Sequence, residues 1–251
     1  AGELFHAYLE RQSYLDRQLV SDLRDLQDRK RPVLHIGVSP WRGSTLLPDV
    51  LPLFEGQYPD VQVVLHEAPV PELGALAEAN VIDFCVMQPP GDLTELTYEP
   101  VMREHIFLVG HRDHPLLRGL YSTYQDPRPF PDLRLLEHER IIMLPADWRL
   151  SRLLYNTFSV HSVEPQNILV TTNTTTAINL AAEKLGFAFL QESGIPRTPY
   201  LDRLACFTVG EPPLTCPLAV VYKKNGFLSP AARAFIDLVR DFYSRYDRGT
   251  E

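Results

Sequence analysis

Apolar and polar positions alternate along this chain in short runs and periodic stripes. Val33, Leu34, Ile36 and Val38 form a short, β-branched apolar run, the pattern of a buried strand. Ser39-Pro40-Trp41-Arg42-Gly43 breaks the run as a polar loop. Ser44 and Thr45 then stand in front of Leu46, Leu47, Val50, Leu51 and Phe54, which share one helical face. The alternation continues with a strand over 61–66, an exit loop over 67–71, a short helix over 72–79 and a strand over 82–87. Helices between consecutive strands imply right-handed crossovers and a mostly parallel sheet. Pro48 suits a first helical turn, whereas Pro52 predicts a kink or a later helix start.

From Ile106 the pattern starts again. Strands are expected over 106–109, 141–144, 168–170 and 187–190, with helices over 149–158 and 177–185, the second ended by Gly186. A Pro-rich irregular loop covers 121–133. One more strand (218–222) and an amphipathic helix (230–246) close the chain. Upstream, Leu4, Tyr8, Leu15, Leu19, Leu23 and Leu26 mark a stripe on a helix over 3–27, suited to pairing with a second chain, and 28–32 form a charged hinge.

Repetition of the α/β pattern predicts two lobes with a cleft, a preferred place for small molecules. In open α/β sheets ligands bind beyond the carboxyl ends of strands. The most polar exits are 39–45 and 171–176. If both face the cleft, two helix N-termini point at one ligand, which suits an anion such as a carboxylate. Arg42 reads either as a partner for that carboxylate or as a solvated residue. Trp41 reads either as a pocket wall or as an aromatic packed between lobes.

Composition narrows the function. The formal net charge of −8 argues against a chain that grips nucleic acid by itself. No apolar run approaches the roughly 20 residues of a membrane span. Cys85, Cys206 and Cys216 are isolated among apolar residues, as buried reduced thiols in a cytoplasmic protein would be. The chemistry of common enzymes is missing: no nucleophile elbow, zinc-binding His pair, phosphate-binding loop or dinucleotide fingerprint occurs. His111 and His114 read as turn residues rather than metal ligands.

The stretch LHIGVSPWRGSTLLPDVLPLFEGQYPDVQVVLHE resembles the start of the effector-binding domain of LysR-type transcriptional regulators. Ile82-Asp83, His105-Ile106-Phe107-Leu108-Val109, Asp113-His114-Pro115-Leu116 and Leu185-Gly186-Phe187-Ala188-Phe189-Leu190 extend the resemblance over 34–245. It implies an α/β fold of two Rossmann-like subdomains, like type-2 periplasmic binding proteins, preceded by a long N-terminal helix. Residues 1–31 would be a linker helix for dimerisation, 32–103 with 212–251 subdomain I, and 104–211 subdomain II. A winged helix-turn-helix DNA reader would precede Ala1, and the protein would be a homodimer or homotetramer. Carried over by position, a small-molecule effector would touch Ser39, Trp41, Arg42, Gly43, Ser44, Thr45, Pro69, Val70, Gln88, Pro145, Ala146, Thr172, Asn173 and Thr174, with no cofactor. The chain departs from the family where Asn80 replaces a Gly after the second helix. A solute-binding protein of a transporter, or an enzyme on the same fold, are the alternatives.

Overall fold

The computed structural model describes residues 31–89, 91 and 94–246, so the helix expected over 3–27 lies outside the described residues. Strand β1 (Val33–Val38) follows the apolar run. The expected polar loop after it is absent. Helix α1 (Pro40–Gln57) starts at once, because the Ser39 hydroxyl accepts the Arg42 N–H at 3.3 Å and Pro40 fills a first-turn position that needs no N–H. Trp41, Arg42 and Gly43 are therefore helical. The helix also runs on through Pro48 and Pro52. Ser44, Pro48 and Pro52 are exposed at one-turn intervals, so the carbonyls that lose a helical donor lie on the solvent side.

Strand β2 (Gln62–Glu67), helix α2 (Val70–Glu78) and strand β3 (Phe84–Met87) complete the first parallel unit, with β1 between β2 and β3. Asn80 has a φ of 58°, so it supplies the left-handed residue after α2 that a Gly would otherwise provide. Strand β4 (Leu96–His111) is much longer than the expected 106–109 and runs through both halves of the molecule. The second half holds β5 (Arg128–Pro129), β6 (Arg140–Met143), α3 (Arg149–Val160), β7 (Asn167–Val170), α4 (Thr174–Ala182), β8 (Phe187–Gln191) and β9 (Leu204–Thr208). Strand β10 (Thr215–Lys223) and helix α5 (Pro230–Ser244) follow.

Among the described residues the sheet has ten strands, in the order β2-β1-β3-β10-β4-β8-β6-β7, with β9 on β4 and β5 on β9. The antiparallel strand β10 lies between β3 and β4, which returns the chain to the first half. There α5 buries Phe235, Ile236, Val239 and Phe242 at helical spacing. The Phe235 ring meets Phe54 of α1 edge-on at 5.1 Å. Burying each such ring stabilises by about 1.5–3 kcal/mol. The second half packs α3 on one face of β8 and β6, through Leu150, Leu154, Phe187 and Phe189, and α4 on the other, through Ile178, Ala188 and Leu190.

This arrangement sets the exits of β1 and β3 on one side of the junction and those of β6 and β8 on the other. The exit of β7 is at the sheet edge, separated from β8 by β6.

Candidate functional site

Arg42 sits in the first turn of α1 and points inward. Its guanidinium pairs with the buried Glu104 carboxylate of β4, with Nη1 3.3 Å from Oε1 and Nη2 on Oε2, and Nη1 donates to the Tyr243 hydroxyl at 2.9 Å. Ser193 donates to the same Glu104 oxygen at 2.5 Å. Burial alone disfavours the charged guanidinium, but Glu104 and Tyr243 more than offset that and hold the Arg42 pKa above its ordinary value. Burial pushes the Tyr243 phenol up to about 12. Arg42 is thus neither solvated nor open to a ligand carboxylate: Glu104 already holds that place.

The network continues along β4. His105 Nδ1 lies 3.1 Å from the fully buried Glu192 carboxylate. Ile106 pairs with Gln191 in the β4–β8 ladder, so the Glu104–Ser193 and His105–Glu192 pairs prolong that ladder by side chains. The 3-10 segment Glu192–Arg197 then docks on α1. The Trp41 indole lies flat against Gly194, where a Cβ would come within 2.0 Å of the ring, and Arg197 pairs with Asp49. Trp41 is therefore packed between the halves.

The hydroxyls of α1 are engaged by its own backbone, exposed at Ser44 and buried at Thr45. Ser44 and Thr45 donate their hydroxyl protons to the Trp41 carbonyl at 2.9 and 3.0 Å. Gly43 lies under the Glu67 carboxylate, which reaches the start of α1 from β2. With Pro40 lacking an N–H, Arg42 N–H capped by Ser39, and Gly43 N–H bonded to the Ser39 carbonyl, the first turn has little left for an anion. The start of α4 is similar: Asn173 accepts the Thr175 and Thr176 N–H groups at 2.8 and 3.2 Å, and Thr171 accepts from Asn173 N–H. Thr174 is buried and Thr172 exposed at the sheet edge. Each of the two helices thus spends first-turn donors on its own cap, which leaves fewer free N–H groups for an anion.

Other expected positions do meet. Gln88, at the exit of β3, is buried beside the Cys216 thiol of β10. Burial, with a contribution from Glu104, pushes that thiol up to about 12. Arg149, the first residue of α3, reaches from the second half and donates to the Pro89 carbonyl beside Gln88. Pro145 and Ala146 precede it in the same loop. Pro69 is exposed and Val70 half-buried against the α2–β3 core.

Sequence reading missed Arg149, Glu104 and Gln191. Arg149 had a signal: a cation in the first turn of a helix opposes the helix dipole and needs another reason to be there. Gln191 is a polar end on an apolar strand. Its Oε1, like Trp41 Nε1, is buried without a hydrogen-bond partner among the described residues.

At the opposite end of the second half, a cavity of about 280 Å³ is lined by His111, Arg112, Asp113, Lys184, Asp202 and Arg203 among others. Four of its charged residues pair with each other, Lys184 with Asp113 at 3.7 Å and Arg203 with Glu183 at 2.8 Å. His111 and His114 accept the N–H groups of Asp113 and Leu116 and are turn residues.

The chain is similar to known proteins in both sequence and fold. A stretch of 103 residues, 40% of this chain, is 35% identical to the HTH-type transcriptional regulator GalR of Pseudomonas putida, and spans 26% of that protein. The probable RuBisCO transcriptional regulator of Trichormus variabilis is 26% identical over 94% of this chain and 69% of its own length. The effector binding domain of BenM with its effector benzoate superposes with a TM-score of 0.70 at 19% identity, covering 88% of this chain and 96% of that one. The effector binding domain of QuiR in complex with shikimate gives 0.68 at 15% identity, covering 86% and 99%. The family model of the LysR substrate binding domain matches residues 27–244. With these matches and this fold, the chain belongs to the LysR substrate binding domain family.

Proposed function

We propose that this chain senses a small carboxylate-bearing effector for a LysR-type transcription factor. The effector binds at the β3 and β6 exits, where Arg149 receives its carboxylate. The observation that carries this reading is the Arg149 guanidinium, which crosses from one half to the other yet meets a neutral carbonyl, Pro89. Among the described residues it makes no ion pair. A cation beside buried Gln88, held only by a neutral acceptor, is available to exchange that acceptor for a charged one. Benzoate and shikimate, named with the BenM and QuiR domains, are both small carboxylates and support the class.

Binding would shift the equilibrium between arrangements of the two halves and so the spacing of DNA readers carried by an N-terminal domain. Subdomain I (32–103 with 212–251), subdomain II (104–211) and a dimerisation helix over 1–31 complete this reading, in a cytoplasmic homodimer or homotetramer. Self-association is supported by β2 and β7, which end the sheet and expose Leu65, Ile168 and Val170. No described helix is long and apolar enough to cross a membrane. A transporter subunit is disfavoured, since the family and the curated relatives are those of transcriptional regulators.

A thermal-shift screen of small carboxylates beside their uncharged amides tests the proposal. The expected result is stabilisation by at least one acid and not by its amide. Stabilisation by amides and acids alike would contradict it.

A further inference from the structure

Two buried polar atoms at the junction have no hydrogen-bond partner among the described residues and are of opposite kind: Trp41 Nε1 is a donor and Gln191 Oε1 an acceptor. An unmade hydrogen bond in such a place carries the full desolvation cost of the group, so each calls for an explanation.

One segment links them. Trp41 lies against Gly194, its Nε1 only 2.7 Å from where a Cβ would stand. Gln191 is the residue before the 3-10 segment Glu192–Arg197 that carries Gly194, three positions on, so its side chain and Gly194 share the same turn. Along β8 side chains alternate, which puts Gln191 on the face of Phe187 and Phe189. That face is covered by α3, the helix that Arg149 begins, and its core includes Cys216, which lies beside Gln88. The nearby carboxylates are engaged elsewhere: Glu104 with Arg42 and Ser193, Glu192 with His105.

We infer that Trp41 and Gln191 form a hydroxyl-recognition subsite, and that the effector is therefore a hydroxylated carboxylic acid. A ketone or ether oxygen would satisfy only the indole N–H. An ammonium would satisfy only the amide oxygen. A hydroxyl satisfies both, accepting from Trp41 Nε1 and donating to Gln191 Oε1. The inference rests on the proposed effector site, since Arg149 supplies the carboxylate end. It adds a specificity that Arg149 cannot give, because a buried donor and acceptor left unpaired discriminate against the analogue without the hydroxyl.

The test uses the whole chain with Trp148→Phe, which leaves Trp41 as its single indole. Benzoate is compared with 3- and 4-hydroxybenzoate, and propionate with lactate, by calorimetry and by the indole N–H resonance of Trp41. The expected result is that a hydroxylated acid binds about tenfold more tightly than its parent and shifts that resonance. Gln191→Leu should remove the preference, so that the hydroxylated acid binds no more tightly than its parent. Equal binding of an acid and its hydroxylated form, or a preference that survives Gln191→Leu, would overturn the inference while leaving the carboxylate site standing. Binding of none of these acids would overturn the effector reading and this inference together. A water that bridges Trp41 Nε1 and Gln191 Oε1 and stays in place in a hydroxy-acid complex would overturn the inference alone.

Discussion

Arg42 and Glu104, 62 positions apart in the chain, form a buried ion pair that joins the first turn of α1 to the strand running through both halves. Tyr243 and Ser193 complete it from α5 and from the second half. Glu104→Ala leaves the guanidinium buried and uncompensated and should cost about 3–5 kcal/mol in urea unfolding. Replacing both partners by apolar residues, Arg42→Met with Glu104→Leu, should cost far less. Equal losses in the single and double variants would show that the pair is not what holds α1 to β4.

Gly194 is required by contact. Any side chain there meets the Trp41 ring, so Gly194→Ala should destabilise by about 1–3 kcal/mol, as overpacking does. The loss should shrink in a Trp41→Ala background, since the coupling is between those two residues. Chemical denaturation of the four proteins in that cycle measures it.

Glu99 gives the acid limb of stability a named contributor. Burial raises its pKa, but hydrogen bonds from Tyr222, Arg233 and Arg240 reverse this and hold the carboxyl below its ordinary value. A depressed folded-state pKa means stability that is present above the unfolded value and lost as pH falls through the folded one. Glu99→Gln should therefore be less stable than wild type near neutrality and converge with it in acid. Asp83 has the opposite sign. Burial raises its pKa despite the 2.7 Å bond from the His35 N–H, so its contribution is present in acid and lost as pH rises through that raised value. Asp83→Asn should hold its stability better than wild type as pH rises from acid to neutral.

The thiols should be silent. Cys85, Cys206 and Cys216 are buried, and burial pushes Cys85 and Cys216 up to about 12, so the reactive thiolate is scarce. Ellman's reagent should label none of these positions in the folded protein within minutes at pH 8, and all of them in denaturant. Rapid labelling of Cys216 in the folded protein would show that the junction is open beneath Gln88.

Much of the fold was legible because its signals are local. Leu34, Ile36 and Val38 mark β1, and the stripe from Ala232 to Tyr243 marks α5, each buried where its period puts it. Strand β9 and the first part of β4 were missed: Leu96–His111 alternates exposed and buried positions only in part, and its partners β10, β8 and β9 lie far along the chain. The loop expected at 39–43 failed for a local reason, since Ser39 outcompeted Ser44 and Thr45 as the cap. The sequence pointed to the strand exits, and the proposed site lies among them, but its chemistry was not legible. Nothing near Arg42 in sequence shows that Glu104 will neutralise it, and nothing near Arg149 shows that it will meet only Pro89.

The most direct measurement is the affinity of a stabilising acid relative to its uncharged amide, in wild type and in Arg149→Gln, by calorimetry. The account predicts that wild type prefers the acid by about tenfold or more and that Arg149→Gln reduces the ratio to about one. An undiminished preference in Arg149→Gln would contradict it.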